Sequence, residues 1–478
     1  MLALLFCSGA LAACEGAGGV SEDSGAPSEQ THKRFDGATL RILGKNPDHG
    51  PSEAARQWIG DEETKGNLIG EVAGARRDWL LEEYGITIQY TPCDAEEYYI
   101  TEEVNRQMLS GLNEYDLYVD GQYAMSQIAR DGYLKDLRSL PYIDLNNEWY
   151  DRYCIENLSV GGKVHYVAGD ALITDDENVY CILFNKDLYE EQGYAGMFDG
   201  RSLYDLVDDG DWTYDAMLRI CKESYSDRNG NGRTDPEDGF GLIIDNGCVQ
   251  VLMAGGGYEM SSKNEDDFPE LTVFNEKAAS LFAQVDRITN EKAFVLNSDR
   301  IGTTSPYGDV EKNFGDGLTT FYMTKLNSLS ELRKYPDLRF GVLPVPKASA
   351  AQEVYCNSAA PLHFSAIGIP LNIAGEELEM TCAALEALGW YGREYLTPAY
   401  VETTLKLKRV EAPEDAAMID LILNNRVFDA ATVYNWGGML SFFNQFALTQ
   451  SRDFASAWET VANKTMAEMQ ETIDKFTK

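Results

Sequence analysis

Residues 227–238 read DRNGNGRTDPED and set oxygen-bearing side chains at the rhythm that wraps a calcium ion. Counted from Asp227, the expected ligands are Asp227, Asn229, Asn231, the backbone carbonyl of Arg233, then Asp235 and Asp238, with Gly232 making the sharp turn at the sixth position. Two details weaken the match: the twelfth position is Asp, shorter in reach than Glu, and Pro236 stiffens the exit. A plain Asx-rich turn has the same residue tastes and is the competing reading. The flanks decide what such a loop could do. Met217, Ile220, Cys221 and Tyr225 fall on one side of an entering helix, whereas residues 239–245, GFGLIID, leave as a strand. With no second helix and no partner loop, the opening motion of a calcium sensor has nothing to act on. The expectation is a structural ion that staples a helix–strand corner.

The elements that must position this loop follow a leader. Residues 1–13 are apolar, too short for a bilayer span of roughly twenty residues but of the length of a secretion signal. They end in Leu11-Ala12-Ala13-Cys14, which resembles a bacterial lipobox, although no Lys or Arg precedes Lys33. The resemblance implies a signal peptide over 1–13, a lipidated Cys14 and a flexible Gly-, Ser- and acid-rich tether over 14–35. The chain is then expected outside the cell, held to the membrane by its lipid anchor only. Forty basic against 78 acidic residues give a formal charge of −38, which repels phosphate backbones and anionic lipid and argues against nucleic-acid binding. A length of 478 residues suffices for two or three domains. Of nine cysteines, Cys7 and Cys14 fall in the leader and anchor. The remaining seven are odd in number and show no Cys-x-x-Cys spacing, so they are expected as small core hydrophobes.

Past the tether, strands alternate with helices. ATLRILG at 38–44, ITIQYTP at 86–92 and YDLYVD at 115–120 read as strands. Between them lie a helix over 68–84, with Leu68, Val72, Ala75, Trp79 and Leu80 on its apolar stripe, and a second helix through Ile100, Val104 and Met108. Short links between such elements imply a parallel, doubly wound α/β sheet with helices on both faces. Ligands bind such sheets at the carboxyl ends of the strands, which brings forward Asn46, Asp120, Gly121 and Tyr123. Further on, 180–194 runs from a buried strand into a helix, a helix covers 213–225, and three glycines at 255–257 precede Tyr258. From about 376 the reading is mainly helical, interrupted by ATVYNWGG at 431–438.

Several segments together resemble the family 1 sugar-binding lipoproteins of bacterial ABC importers. They are Gly132-Tyr133-Leu134-Lys135-Asp136-Leu137, Leu183-Phe184-Asn185-Lys186-Asp187-Leu188 with Gly193-Tyr194, and Asp211-Trp212-Thr213. Phe314 with Gly317 and Met323, and Phe340-Gly341-Val342 with Pro344 and Pro346, complete the series, whose order over roughly 38–470 carries the likeness. The resemblance implies an α/β, two-lobed periplasmic-binding-protein-like fold of type II, each lobe a sheet flanked by helices, joined by a hinge. Lobe one is expected over 36–170 plus 314–364, and lobe two over 171–313 plus 365–478. It also implies a monomeric receptor whose partners are a small solute, sugar-like by analogy, held in the cleft by hinge closure, and the permease subunits of the importer.

A sugar presents hydroxyls around apolar C–H faces, so a suitable cleft offers aromatic rings together with carboxylates and amides. Trp436, flanked by Asn435 and two glycines in a break between helices, is the leading ring. Asp120 and Tyr123 past a strand end, Tyr258 after the glycine break, and Asp176 and Glu177 before the strand at 180 follow, with Asn46 and Trp58 behind them. A secreted glycosidase is the main rival, because it needs only two carboxylates. Against other enzymes, the chain carries no Gly-x-Ser-x-Gly, His-Glu-x-x-His, Walker loop or dinucleotide fingerprint, and only four histidines. An adhesin or scaffold fits the βα alternation poorly.

Overall fold

The computed structural model describes residues 33–46, 56–60, 68–232, 234–301, 304–401, 413–448 and 453–477. The signal peptide, Cys14, most of the tether and Arg233 lie outside the described residues.

Two sheets organise the chain. β1 (Ala38–Gly44), β2 (Ile86–Pro92) and β3 (Leu117–Gly121) run parallel in the first, with β1 between the other two. α1 (Leu68–Tyr84) and α2 (Thr101–Ser110) make the crossovers, and α3 (Gln122–Arg130) leaves β3 directly. The buried face of α1 is Ile69, Ala73, Arg76, Leu80 and Tyr84, one step round from the stripe expected, because Arg76 turns inward. Its guanidinium donates to the carbonyls of Ala171 (2.9 Å) and Gln57, so burial leaves it hydrogen-bonded. β1 and β3 bury Leu40, Ile42, Leu117 and Val119 against Leu80 of α1.

The second sheet contains β4 (Tyr180–Asn185), β5 (Leu242–Ile244), β6 (Val295–Asn297), β7 (Phe321–Lys325) and β8 (Phe340–Leu343), in the order β8-β4-β7-β5-β6. β5, β6 and β7 are parallel neighbours, and β4 runs antiparallel to β7 and β8. α4 (Cys248–Gly255) follows β5. β9 (Ser365–Gly368) then returns to the first sheet, antiparallel to β3, and α5 (Gly375–Tyr391) packs over β1 and α1. α6 (Pro413–Asn424) docks on β8, where Asp415 accepts from Lys186 (2.7 Å) and the Val342 N–H (2.9 Å). The long helix α7 (Phe454–Phe476) closes the chain.

This pairing corrects the expected lobe boundaries. The strands within 314–364 belong with β4 in the second sheet, and β9, from the segment given to lobe two, belongs with β3 in the first. The physical reason is edge availability: β4 has two open sides, which β7 and β8 fill, while β3 still offers its outer edge to β9.

Two of the segments that cross between the sheets are hydrogen-bonded to each other. Val179 bridges Ala359, and the Ala360 N–H donates to the Asn178 carbonyl (2.9 Å). Beside this seam lies a buried charge cluster. Arg426 pairs with Asp151 (2.8 Å) and Asp176 (2.7 Å), with Asp170 and Asp175 close enough to feel it. Burial pushes the Asp170 carboxyl up to about 7, and burial followed by the neighbouring Asp176 raises Asp175. Replacing Arg426 by Ala leaves Asp151 and Asp176 buried without their shared guanidinium, and the expected loss is ~3–5 kcal/mol of unfolding free energy. Urea denaturation measures it, and Asp176→Asn in the same chain should return part of the loss.

Candidate functional site

Both sheets end their parallel strands toward one space. On the first, Lys45 follows β1, Cys93 follows β2 and Asp120 lies in the last turn of β3. Gly121 permits the crossing segment to pass, since a Cβ there would overlap the Leu362 carbonyl oxygen. Asp120 is buried and accepts from the N–H groups of Ile100 (3.0 Å) and Gly121 (2.6 Å), with the Lys45 ammonium 3.8 Å away. Burial raises its pKa, and Lys45 pulls it back. Lys45 donates to the Leu362 carbonyl (3.2 Å) and lies over the rings of Tyr98 (4.2 Å) and Tyr99 (4.9 Å). On the second sheet, Asp245 follows β5, Ser298 follows β6 and Lys325 ends β7, beside a cavity of about 180 Å³ that Tyr307, Tyr322, Asn327 and Glu331 also line.

The two edges share a field. Burial lowers the Lys325 pKa; Asp245 and Glu331 oppose that, and the charge of Lys45 on the other sheet adds to the lowering. His363, on the crossing segment, is pushed down to about 3, first by burial and then by Lys325 and Lys45, so its imidazole is neutral. Three amide atoms at the second edge are buried without a hydrogen-bond partner among the described residues: Asn246 Oδ1, Asn297 Nδ2 and Asn327 Oδ1. Such atoms cost free energy unless a ligand or water completes them. Charges of both signs and tyrosine rings therefore gather where the carboxyl edges of the two sheets meet the crossing segment, a composition suited to a solute rich in hydroxyls.

No protein-family profile matches the sequence. No curated protein matches it either. Solved structures do. An ABC substrate-binding protein from Listeria monocytogenes in complex with cycloalternan superposes with a TM-score of 0.58 at 14% identity, over 90% of this chain and 100% of that one. A family 1 extracellular solute-binding protein from Bifidobacterium longum subsp. infantis gives 0.54 at 16%, over 90% and 99%. UgpB from Mycobacterium tuberculosis in complex with glycerophosphocholine gives 0.55 at 13%, over 84% and 96%. The chain has the two-lobed, type II binding-protein fold. The first sheet is the framework of lobe one, the second that of lobe two, and the paired crossings are the seam between them.

Within the two lobes the sequence candidates separate. Asp120 stands at the cleft edge, and so does Asn46, whose amide donates to the Cys93 carbonyl (3.1 Å). Tyr123, in the first turn of α3, meets Tyr99 edge to face at 5.4 Å. Glu177 is in the crossing, where its backbone accepts from Asn327 (2.9 Å) and its charge reaches Lys325. Asp176 belongs to the Arg426 cluster. Tyr258 already donates to the Val273 carbonyl (2.5 Å) and lines a cavity of only about 30 Å³. Trp58 is fully buried in lobe one under the Arg76 guanidinium.

Trp436 and Asn435 are corrected outright. The indole is 0% exposed, stacks on Tyr434 at 5.4 Å and donates to Thr472 Oγ1 (2.9 Å) on α7. Asn435 takes a left-handed turn (φ 55°) and caps the Leu440 N–H (3.0 Å). Gly437 serves packing too, for a Cβ there would overlap Thr465 of α7. The break between helices is a dock for the C-terminal helix. Lys45, Asp245, Lys325 and His363 were missed. The strand-end rule that selected Asp120 reaches Lys45 and Asp245 when applied to every strand, whereas His363 carries no local signal.

The calcium-like loop lies away from the cleft. Asp227 accepts from the N–H groups of Gly230 (2.7 Å) and Gly232 (2.9 Å), and the Asn229 and Asn231 amides converge on the Asp235 carboxylate. Asp238 is buried and accepts from the Arg228 and Asp235 N–H groups (both 3.2 Å). Among the described residues, no three His, Cys, Asp or Glu side chains gather closely enough to hold a metal by themselves.

Trp436→Ala should act on the fold: the expected cost is ~3–5 kcal/mol, read as a lower urea midpoint with an unchanged slope.

Proposed function

We propose that this chain captures a hydroxyl-rich small solute, a mono- or oligosaccharide, between its lobes and hands it to an ABC importer without converting it. The observation that carries this reading is the cavity of about 180 Å³ at the second edge, lined by Asp245, Lys325, Tyr307, Tyr322 and Glu331, with the charge of Lys45 on the first sheet within reach of Lys325. A solute touching both edges makes its full set of hydrogen bonds only with the lobes closed, which is what favours closure. Support also comes from neighbours of the same fold that hold cycloalternan, maltotriose and maltopentaose. The resemblance at Leu11–Cys14 supports a lipid anchor and delivery at the outer membrane surface. A thermal-shift screen over sugars tests the reading: a bound sugar raises the melting temperature and is recovered unchanged. Lys325→Met and Lys45→Met should each weaken that sugar roughly tenfold or more in calorimetry, the loss of a charge-assisted hydrogen bond. Release of shortened glycan would make the chain an enzyme instead.

The loop at 227–238 is read as a calcium staple. Its donor set fits once the Asn229 and Asn231 amides turn their oxygens inward, a rotation that exchanges chemically similar ends. The ion would hold the corner between the helix ending at Cys221 and β5, and take no part in solute contact. Chelation should lower the melting temperature and calcium restore it, while Asp227→Ala abolishes both effects; a melting point indifferent to chelator sinks the staple.

A further inference from the structure

We propose a second, outer sugar subsite on lobe one, in the groove between α2 and α3, so that the solute is an oligosaccharide reaching beyond the cleft. The inference rests on the saccharide reading above and extends it. A cavity of about 140 Å³ lies here, lined by Tyr99, Thr101, Asn105, Tyr123, Gln127 and Tyr133. A series of ring contacts links this groove to the Lys45 edge of the first sheet. Lys45 sits over Tyr98 and Tyr99, Tyr98 meets Tyr99 at 4.6 Å, and Tyr99 meets Tyr123 at 5.4 Å. The Tyr123 N–H donates to the Pro361 carbonyl (2.9 Å), which fixes the start of α3 to the crossing segment that carries His363. The groove therefore lies two ring contacts away from the Lys45 ammonium.

Its chemistry is that of a sugar ring's surroundings. Tyrosine offers an apolar face to C–H groups and a hydroxyl to an O–H. The hydroxyls of Tyr99, Tyr123 and Tyr133 and the Asn105 amide make no hydrogen bond to the described residues, so they are open to a ligand. Gln127 is held in place, since its amide nitrogen donates to Ser126 Oγ (3.1 Å) and the Tyr434 carbonyl (3.2 Å), leaving its oxygen toward the groove. A charged ligand suits the groove less well: Asp131 lies at its far end, 3.9 Å from Lys475, and no other ionised side chain lines it. A neutral glycan unit is the occupant that fits.

The test is calorimetry of the whole chain against malto-, cello-, xylo- and manno-oligosaccharide ladders from mono- to hexasaccharide. Within the ladder that binds, affinity should rise about tenfold on adding the units that reach the groove, the worth of one ring on an aromatic platform. Tyr133→Ala should bring the longer members back toward the short ones while leaving the disaccharide unchanged. Asn105→Ala, at an exposed position that cannot disturb packing, should do the same in smaller measure. Equal affinity along the ladder, or variants that weaken short and long members alike, overturns the subsite while leaving the cleft reading in place. No binding in any ladder removes the saccharide reading, and the subsite with it.

Discussion

The seam between the crossing segments is the constraint on which the molecule depends. Val179 pairs with Ala359, Ala360 with Asn178, and the same stretch then accepts Leu326 (3.1 Å) and Asn327 (2.9 Å) from the end of β7. Each crossing enters its sheet at the edge where the parallel strands finish. That fixes the carboxyl edges of both sheets toward one space, where backbone groups and loop side chains are free to meet a solute. A short antiparallel pairing of this kind is narrow in contact area, so it can bend where a packed helix interface would slide only slightly. Lys45 and Lys325 belong to different lobes, yet the seam brings their charges within reach of each other and of His363.

Charge is sorted by the fold. Most of the 78 carboxylates belong to the charged surface, while Asp120, Asp245, Asp170, Asp175 and Asp176 are drawn inside, where burial raises their pKa. Inside, each needs compensation. Asp120 has two backbone N–H donors and a lysine, Asp245 has the Gly247 N–H (2.8 Å), and Asp151 and Asp176 share a guanidinium. Asn246, Asn297 and Asn327 each keep one buried amide atom unpaired among the described residues.

Much of the framework was readable from periodicity and turn chemistry. β1, β2 and α1 fall at 38–44, 86–92 and 68–84 as expected, and β3 differs by a shift of a residue or two. All seven cysteines outside the leader are free, six of them buried, in keeping with their reading as core. That Asp120 and Asn46 stand at strand ends followed from a rule that needs no knowledge of partners. Trp436 did not, because a Trp between glycines in a helix break looks the same whether the neighbouring space holds a ligand or a helix. Here it holds α7, whose Thr465 and Thr472 come from the far side of the break.

What the sequence determined by itself is local: strand or helix, where each ends, and which side chains stand at those ends. These are set by contacts within a few residues, so a window of the chain contains the cause. Tertiary structure decided the rest. Nothing near 321–343 says that it pairs with 180–185, and nothing near 365 says that it runs back along β3, because pairing is chosen by which edges are left open after everything else has packed. The same holds for Lys45 and Lys325, far apart in the chain, whose charges come within reach of each other only through the seam that joins the lobes.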